Sequence, residues 1–404
     1  LIKNLSLKTQ FDNNLEFLRG FAALVVVFAH LFYHFKDFNA GYIPLMLRMY
    51  ELPAHLAVLI FFMLSGYVIG LKYKEPLNTQ SLIPYLKKRI VRIYPIYMVA
   101  ILVSLLVSDE TISIGRIIAH FTLTQNLSYP PIWANNPVWS LNYEMLYYLA
   151  FVPISFFAIR TFIAFFICLA VGLISTMLSG NPIISAYAFG FCFWLAGMFI
   201  ARNFNLSGQT FKVVPIILFI LSLQVILSES LITGRILHVL NIHPPDKFQS
   251  HWSQTIVNYH DIIFLPYCFI LITLFSGKDF AYRKIITLIL SIPLIFSIYK
   301  LIPTITTGQL IALLFLAGSL ISVKFPFKES LLIKVGTQIG SISFGIYIIH
   351  YPILFFLGHM KIEVHGPVMY CFKVVFFVLL TGLIAWLLEK KFQPFVRGLL
   401  IKKS

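Results

Sequence analysis

Charge is what this chain has least of. Only 11% of its 404 residues are charged, where a soluble domain carries about a quarter. So few charges cannot cover the surface of a soluble fold this long, which excludes a water-soluble globular protein. Acidic residues are scarcest, 15 against 31 Lys and Arg, for a formal net charge of +16. The cysteines, Cys168, Cys192, Cys268 and Cys371, all fall inside apolar runs and at no metal-type spacing. That excludes a disulfide framework or a zinc cluster and leaves small membrane-buried side chains, so no metal is expected. No internal repeat or low-complexity tract is visible. The first apolar run is too long for a signal peptide and lacks a small-residue cleavage site; it is expected to remain as the first helix.

What is present is hydrocarbon. Hydrophobic residues make up 59% of the chain and the mean hydropathy is +0.87. Apolar runs of about 20 residues, the length a bilayer core requires, recur from end to end. Spanning helices are predicted at residues 15–36, 54–72, 93–108, 139–159, 161–179, 184–201, 212–230, 259–276, 283–301, 306–323, 339–358 and 367–388, punctuated by Gly, Pro and charge. The expected fold class is all-α: a polytopic transmembrane bundle of about 10–12 spanning helices. One membrane domain over residues 1–404 is expected, with no soluble hydrolase-like domain after the last helix.

The positive charge suggests nucleic acid only until its distribution is read. Basic residues lie in the short gaps between apolar runs, as in cytoplasmic loops beside anionic lipid. With the N-terminus inside, 22 Lys and Arg fall on inner segments and 7 on outer ones. Both termini are therefore expected in the cytoplasm, with membrane lipid and not nucleic acid as the partner. The larger outer loops, residues 109–138 and 231–258, carry Trp133, Trp252 and Tyr129 among many Pro, Asn and His. That composition suits a sugar-facing surface and equally an aromatic belt.

Ionisable residues within spanning helices mark functional sites by default. In LEFLRGFAALVVVFAH, Glu16 and Arg19 are i, i+3 neighbours. His30 follows Arg19 by 11 residues, about 16 Å and close to three turns, so both share one helix face. A lone helical histidine reads as packing; the Arg on its face favours a ligand path. Ser65, Gly66 and Tyr67 in FFMLSGYVIG read either as part of that path or as a small-residue packing patch. In SLIPYLKKRIVRIYPIY, Arg89 and Arg92 form an i, i+3 pair at the inner surface. Two guanidinium forks there grip a phosphate or simply anchor the helix. In NPVWSLNYEMLYY, Glu144 opens the fourth helix beside Trp139, Ser140, Asn142 and Tyr143. At that depth it must be paired, protonated or facing a cavity. In GSISFGIYIIHYP, His350 reads as a substrate contact or as a structural histidine.

Taken in order, these motifs resemble the membrane acyltransferase-3 family, whose bacterial members include O-acetyltransferases of surface polysaccharides. They are the Arg19–His30 pair, FFMLSGYVIG, Arg89-x-x-Arg92 before Tyr94-Pro95, VWSLNYEMLYY, and SFGIYIIHYP, and the resemblance covers about residues 11–390. The sequence departs at Glu16, where the family's pattern has an aspartate a few residues before the first Arg.

The resemblance implies acyl transfer, most simply of acetyl, from cytoplasmic acyl-CoA to a hydroxyl of a surface polysaccharide or its lipid-linked precursor at the cell (inner) membrane. Acetyl-CoA is then a donor substrate, and no bound cofactor is needed. Arg89 and Arg92 would hold the CoA phosphates, with Ser65 and Tyr67 along the donor path and Arg19 as a further cation. The pantetheine arm, roughly 15–20 Å by bond count, matches the rise of the first helix from Arg19 to His30. His30 would act as general base or acyl carrier, and Glu144 would orient it. Trp139, Ser140, Tyr143 and His350 would line the acceptor channel. Two alternatives keep the same residues: acyl transfer to a small molecule or lipid, and a transporter or flippase without covalent chemistry.

Overall fold

The computed structural model describes residues 2–34, 38, 42, 52–178, 182–207, 211–229, 257–292, 307–325, 329–360 and 366–400. The predicted loop 231–258 and the stretch around Pro303 lie almost entirely outside the described residues. The helices are α1 (Ile2–Ala29), α2 (Ala54–Lys72), α3 (Thr79–Val107), α4 (Ile114–Phe121), α5 (Trp139–Phe156), α6 (Thr161–Leu178), α7 (Pro182–Asn203), α8 (Val213–Glu229), α9 (Leu265–Phe275), α10 (Arg283–Leu290), α11 (Thr307–Lys324), α12 (Glu329–Gly340), α13 (Ser343–His359), α14 (Pro367–Leu387) and α15 (Gln393–Leu400). The one sheet among the described residues pairs Asn205–Leu206 with Lys278–Asp279.

The chain is an all-α, multi-pass membrane protein. Six described helices are long and apolar enough to span; the pair α12–α13, bent by 68°, is a broken span or a re-entrant loop; three more apolar helices, Thr161–Met177, Val213–Leu227 and Tyr259–Phe275, are shorter. Two boundaries differ from expectation, and a third lies partly outside the described residues. The helix expected at 93–108 begins at Thr79, because Asn78 and Ser81 form a capping box: each side chain accepts from the other's backbone N–H. The basic stretch with Arg89 and Arg92 is thus part of the spanning helix and not a segment before it. The helix expected at 339–358 is interrupted by the non-helical Ile342. The helix expected at 283–301 is described only as the short α10 and the residues just after it.

The chain divides into two compact units. The first comprises residues 1–19, 59–74 and 161–337. Its helices pair as α6 with α7 and α8 with α11. In lipid, hydrophobic burial does not drive helices together; small residues and side-chain hydrogen bonds do. Ser222 Oγ donates to Ala312 O and Ser319 Oγ to Pro215 O, each at 2.8 Å, joining α8 to α11. Glu329 caps α8, taking the N–H groups of Val213 and Val214 at 2.9 Å.

The second unit comprises residues 20–58, 75–160 and 338–404. Its axis is α13, buried almost throughout and packed on α14, α3 and the 3-10 turn Trp133–Val138 that leads into α5. The connection between α3 and α5 is tied by polar side chains. Gln125 donates to Val138 O, Asn126 to Trp139 O and Asn142 to Leu123 O. His120 accepts from Ile132 N at 3.1 Å through Nε2, and its Nδ1 lies 2.8 Å from Arg116 O. That arrangement requires the neutral ring, and burial pushes the His120 pKa down to about 4.

Candidate active site

The site is built where α1 ends. After Ala29 the helix widens into a π-helical turn, His30–His34, a feature frequent at functional sites. His30 Nδ1 lies 2.9 Å from His350 Nε2. The two rings stack at 15° with centroids 5.2 Å apart, and Tyr351 meets His30 edge-on at 5.2 Å. His350 is fully buried, and its Nδ1 faces the carbonyls of Tyr347 at 2.7 Å and Ile346 at 3.2 Å.

That pattern determines both tautomers. Carbonyls only accept, so His350 carries its proton on Nδ1, and in the neutral ring Nε2 is an acceptor. His30 must then donate from Nδ1, which leaves the lone pair of neutral His30 on Nε2. A second imidazole therefore does for His30 what a carboxylate does in many hydrolytic sites: it selects the tautomer and faces the cation that protonation creates.

On the other side of His350, Tyr347 Oη donates to Pro137 O at 2.9 Å, and Ser140 Oγ lies 2.7 Å from Tyr347 Oη and 3.2 Å from Pro137 O. Asn135 Nδ2 reaches Ile348 O at 3.2 Å. Trp139 packs edge-on to Tyr143 at 5.2 Å and lies over His55 at 6.1 Å. Trp139, Ser140 and Tyr143 are all buried. Here the proposed channel residues are packed into the wall that holds His350.

The basic pair stands along the same unit. Arg89 lies over the Tyr148 ring at 5.6 Å, and its buried Nε has no hydrogen-bond partner. Glu144 accepts from Tyr148 Oη at 2.6 Å. Arg92 is gripped by Glu389, with N–O distances of 2.7 and 3.3 Å. Arg89, Tyr148 and Glu144 thus form one contact series. His350 is a hydrogen-bonding partner of His30, and Glu144 is one of Tyr148.

The remaining predicted residues belong to the first unit. Arg19 Nη1 pairs with Glu16 at 2.8 Å, both partly buried. Ser65 Oγ accepts from Trp194 Nε1 at 3.3 Å. Tyr67 is buried beside Ser276. Between them, a Cβ on Gly66 would overlap Trp194 O, and one on Gly197 would overlap Met63 O. The backbones of α2 and α7 touch there, as a small-residue packing patch requires.

Sequence reasoning missed Tyr148, Glu389 and Gln393. Tyr148 sits one turn after Glu144, a findable i, i+4 signal. Glu389 is 297 residues from Arg92, and no spacing rule connects them. Among the described residues, no three His, Cys, Asp or Glu side chains converge as metal ligands.

A family model described as an acyltransferase domain, that of the acyltransferase-3 family, matches residues 12–390. No curated protein and no solved structure matches the chain.

Proposed function

The chain belongs to the acyltransferase-3 family and is a membrane acyltransferase, and on that premise we propose that it moves an acetyl group from acetyl-CoA to a hydroxyl of a surface polysaccharide or its lipid-linked precursor. The donor binds from the cytoplasm of a cell whose inner membrane holds the chain, with both termini inside. Arg89 and Arg92 receive the CoA phosphates as charge-assisted contacts.

The observation that carries the reading is the His30–His350 pair at 2.9 Å. His30 Nε2 takes the proton of the acceptor hydroxyl as its oxygen attacks the thioester carbonyl. The C–S bond then breaks, and the thiolate leaves with the proton that His30 held. Acyl ester and CoA thiol are the products. During the step His30 is a cation, and its Nδ1–H donates to the lone pair of His350, so the charge is stabilised without a buried carboxylate.

The acceptor is a glycan on the strength of the connection between α3 and α5, where the exposed Tyr129 and Trp133 offer stacking faces and hydrogen-bonding edges. A lipid or small-molecule acceptor would keep the donor chemistry and change only that surface.

The test uses the purified chain in detergent with acetyl-CoA, with and without acceptor glycan. Release of CoA that requires acceptor and yields acetylated glycan is the expected result. A transporter would release no CoA under either condition. An acyl-histidine trapped with labelled acetyl-CoA alone would replace direct transfer by a two-step route.

A further inference from the structure

Arg92 does not stand alone at its end of α3; three groups from distant parts of the second unit hold it. Glu389 binds its two Nη nitrogens at 2.7 and 3.3 Å, and the Phe344 ring lies 5.5 Å from the guanidinium. The third group acts through the backbone. Pro95 has no N–H, so the carbonyl of Val91, four residues earlier, loses its helical partner. Gln393 Nε2 donates to that Val91 O at 2.6 Å, and lies 3.2 Å from Arg92 O. Glu389 and Gln393 are four residues apart, in and just after the π-helical turn Leu388–Phe392. The end of the α14 segment therefore clamps Arg92 at both its main chain and its side chain.

The burial of the two partners differs sharply. The Glu389 side chain is 3% exposed, while that of Arg92 is 46% exposed. A carboxylate so enclosed is committed to the arginine it faces. The guanidinium is not used up. An end-on carboxylate occupies one N–H on each Nη, and a guanidinium has five. Nearly half of the Arg92 side chain is left exposed, on the same helix as Arg89, one turn away.

We propose that Glu389 and Gln393 are positioning residues for the donor site: they hold Arg92 so that its outer edge, together with Arg89, meets a phosphate of acyl-CoA. This assignment rests on the donor reading above. It adds that the affinity for acyl-CoA is set from the far end of the chain, by two residues that do not touch the donor.

The experiment varies acetyl-CoA at fixed acceptor with the purified full chain, and follows the thermal midpoint of each variant. Glu389→Gln keeps the shape of the side chain but frees Arg92 to swing. It is expected to raise KM for acetyl-CoA about tenfold while kcat stays within about twofold, the pattern of lost binding rather than lost chemistry. The swap Arg92→Glu with Glu389→Arg rebuilds the ion pair. It is expected to recover the wild-type midpoint but not the KM, because a carboxylate at position 92 repels phosphate. A swap that restores both would make the pair merely structural and overturn the assignment. So would Glu389→Gln with an unchanged KM. Wild-type protein that shows no saturable dependence on acetyl-CoA would instead sink the donor reading, and the assignment with it.

Discussion

His350 Nε2 accepts from His30 Nδ1 at 2.9 Å across 320 residues of sequence. Because the other nitrogen of His350 is committed to the carbonyls of Tyr347 and Ile346, His30 is held with its lone pair on Nε2. The two rings therefore have unequal parts, and their variants should differ. His30→Gln removes the base and should lower turnover by about 10²–10⁴-fold. His350→Gln keeps an acceptor near the Nε2 position and should retain more activity than His350→Leu, which removes the acceptor for His30 Nδ1. Steady-state turnover of the three purified variants checks the order. Equal loss in both His350 variants would remove the tautomer argument.

Much of this site was legible in the sequence, and the reason is local. His30 and Glu144 stand out because a charge or imidazole in an apolar run is costly, and Arg89 and Arg92 because two guanidinium groups recur at helical spacing. The helical nature of the chain followed from the lengths of those runs. What pairs with what was not legible. His350 and His30, or Glu389 and Arg92, meet through tertiary packing that no periodicity encodes. The start of α3 lies earlier than expected because the basic residues before 93 are no part of an apolar run, whereas the Asn78–Ser81 capping box has already begun the helix. Ser65-Gly66-Tyr67 admitted two readings; the contact of Gly66 with Trp194 O corresponds to the packing one.

Ser140 and Tyr347 bear on whether the wall behind His350 takes part in turnover. Tyr347→Phe removes the donor to Pro137 O, but Ser140 Oγ is 3.2 Å from the same carbonyl and can replace it. The expected cost is about 1 kcal/mol of stability, with activity within about threefold. Thermal unfolding in detergent and turnover of Ser140→Ala and Tyr347→Phe provide the check. Loss of turnover with an unchanged midpoint would place these hydroxyls in the substrate channel.

Gly66→Ala should destabilise the first unit. The added methyl group would overlap the carbonyl of Trp194, and overpacking of this kind costs about 1–3 kcal/mol. Ser65→Ala, which loses one 3.3 Å contact from Trp194, should be much milder. A lowered thermal midpoint for Gly66→Ala alone is the expected outcome. An unchanged midpoint would mean that α2 and α7 do not meet at this point.

The connection between α3 and α5 should loosen in acid. Folding lowers the His120 pKa to about 4, against about 6.5 for the unfolded ring. Between those values the unfolded chain binds a proton that the native ring refuses, so stability falls as pH falls. His120 thus contributes fully above about 6.5 and progressively less down to about 4. Protonation also removes the acceptor for the Ile132 N–H. Corrected for intrinsic rate, hydrogen exchange at Ile132 should speed up at pH 5 relative to pH 7, and His120→Phe should abolish that pH dependence. Exchange independent of pH in the wild type would contradict the assignment.

The central claim is that acyl transfer to a surface glycan passes through His30. The most direct measurement is the acyl content of surface glycans, by mass spectrometry, in cells lacking the chain and in the same cells supplied with wild type or His30→Gln at equal membrane levels. The account predicts acylated glycan with the wild type, none with the empty cells, and at most about one per cent of the wild-type level with His30→Gln. Acylated glycan restored by His30→Gln, or no difference between wild type and empty cells, would contradict it.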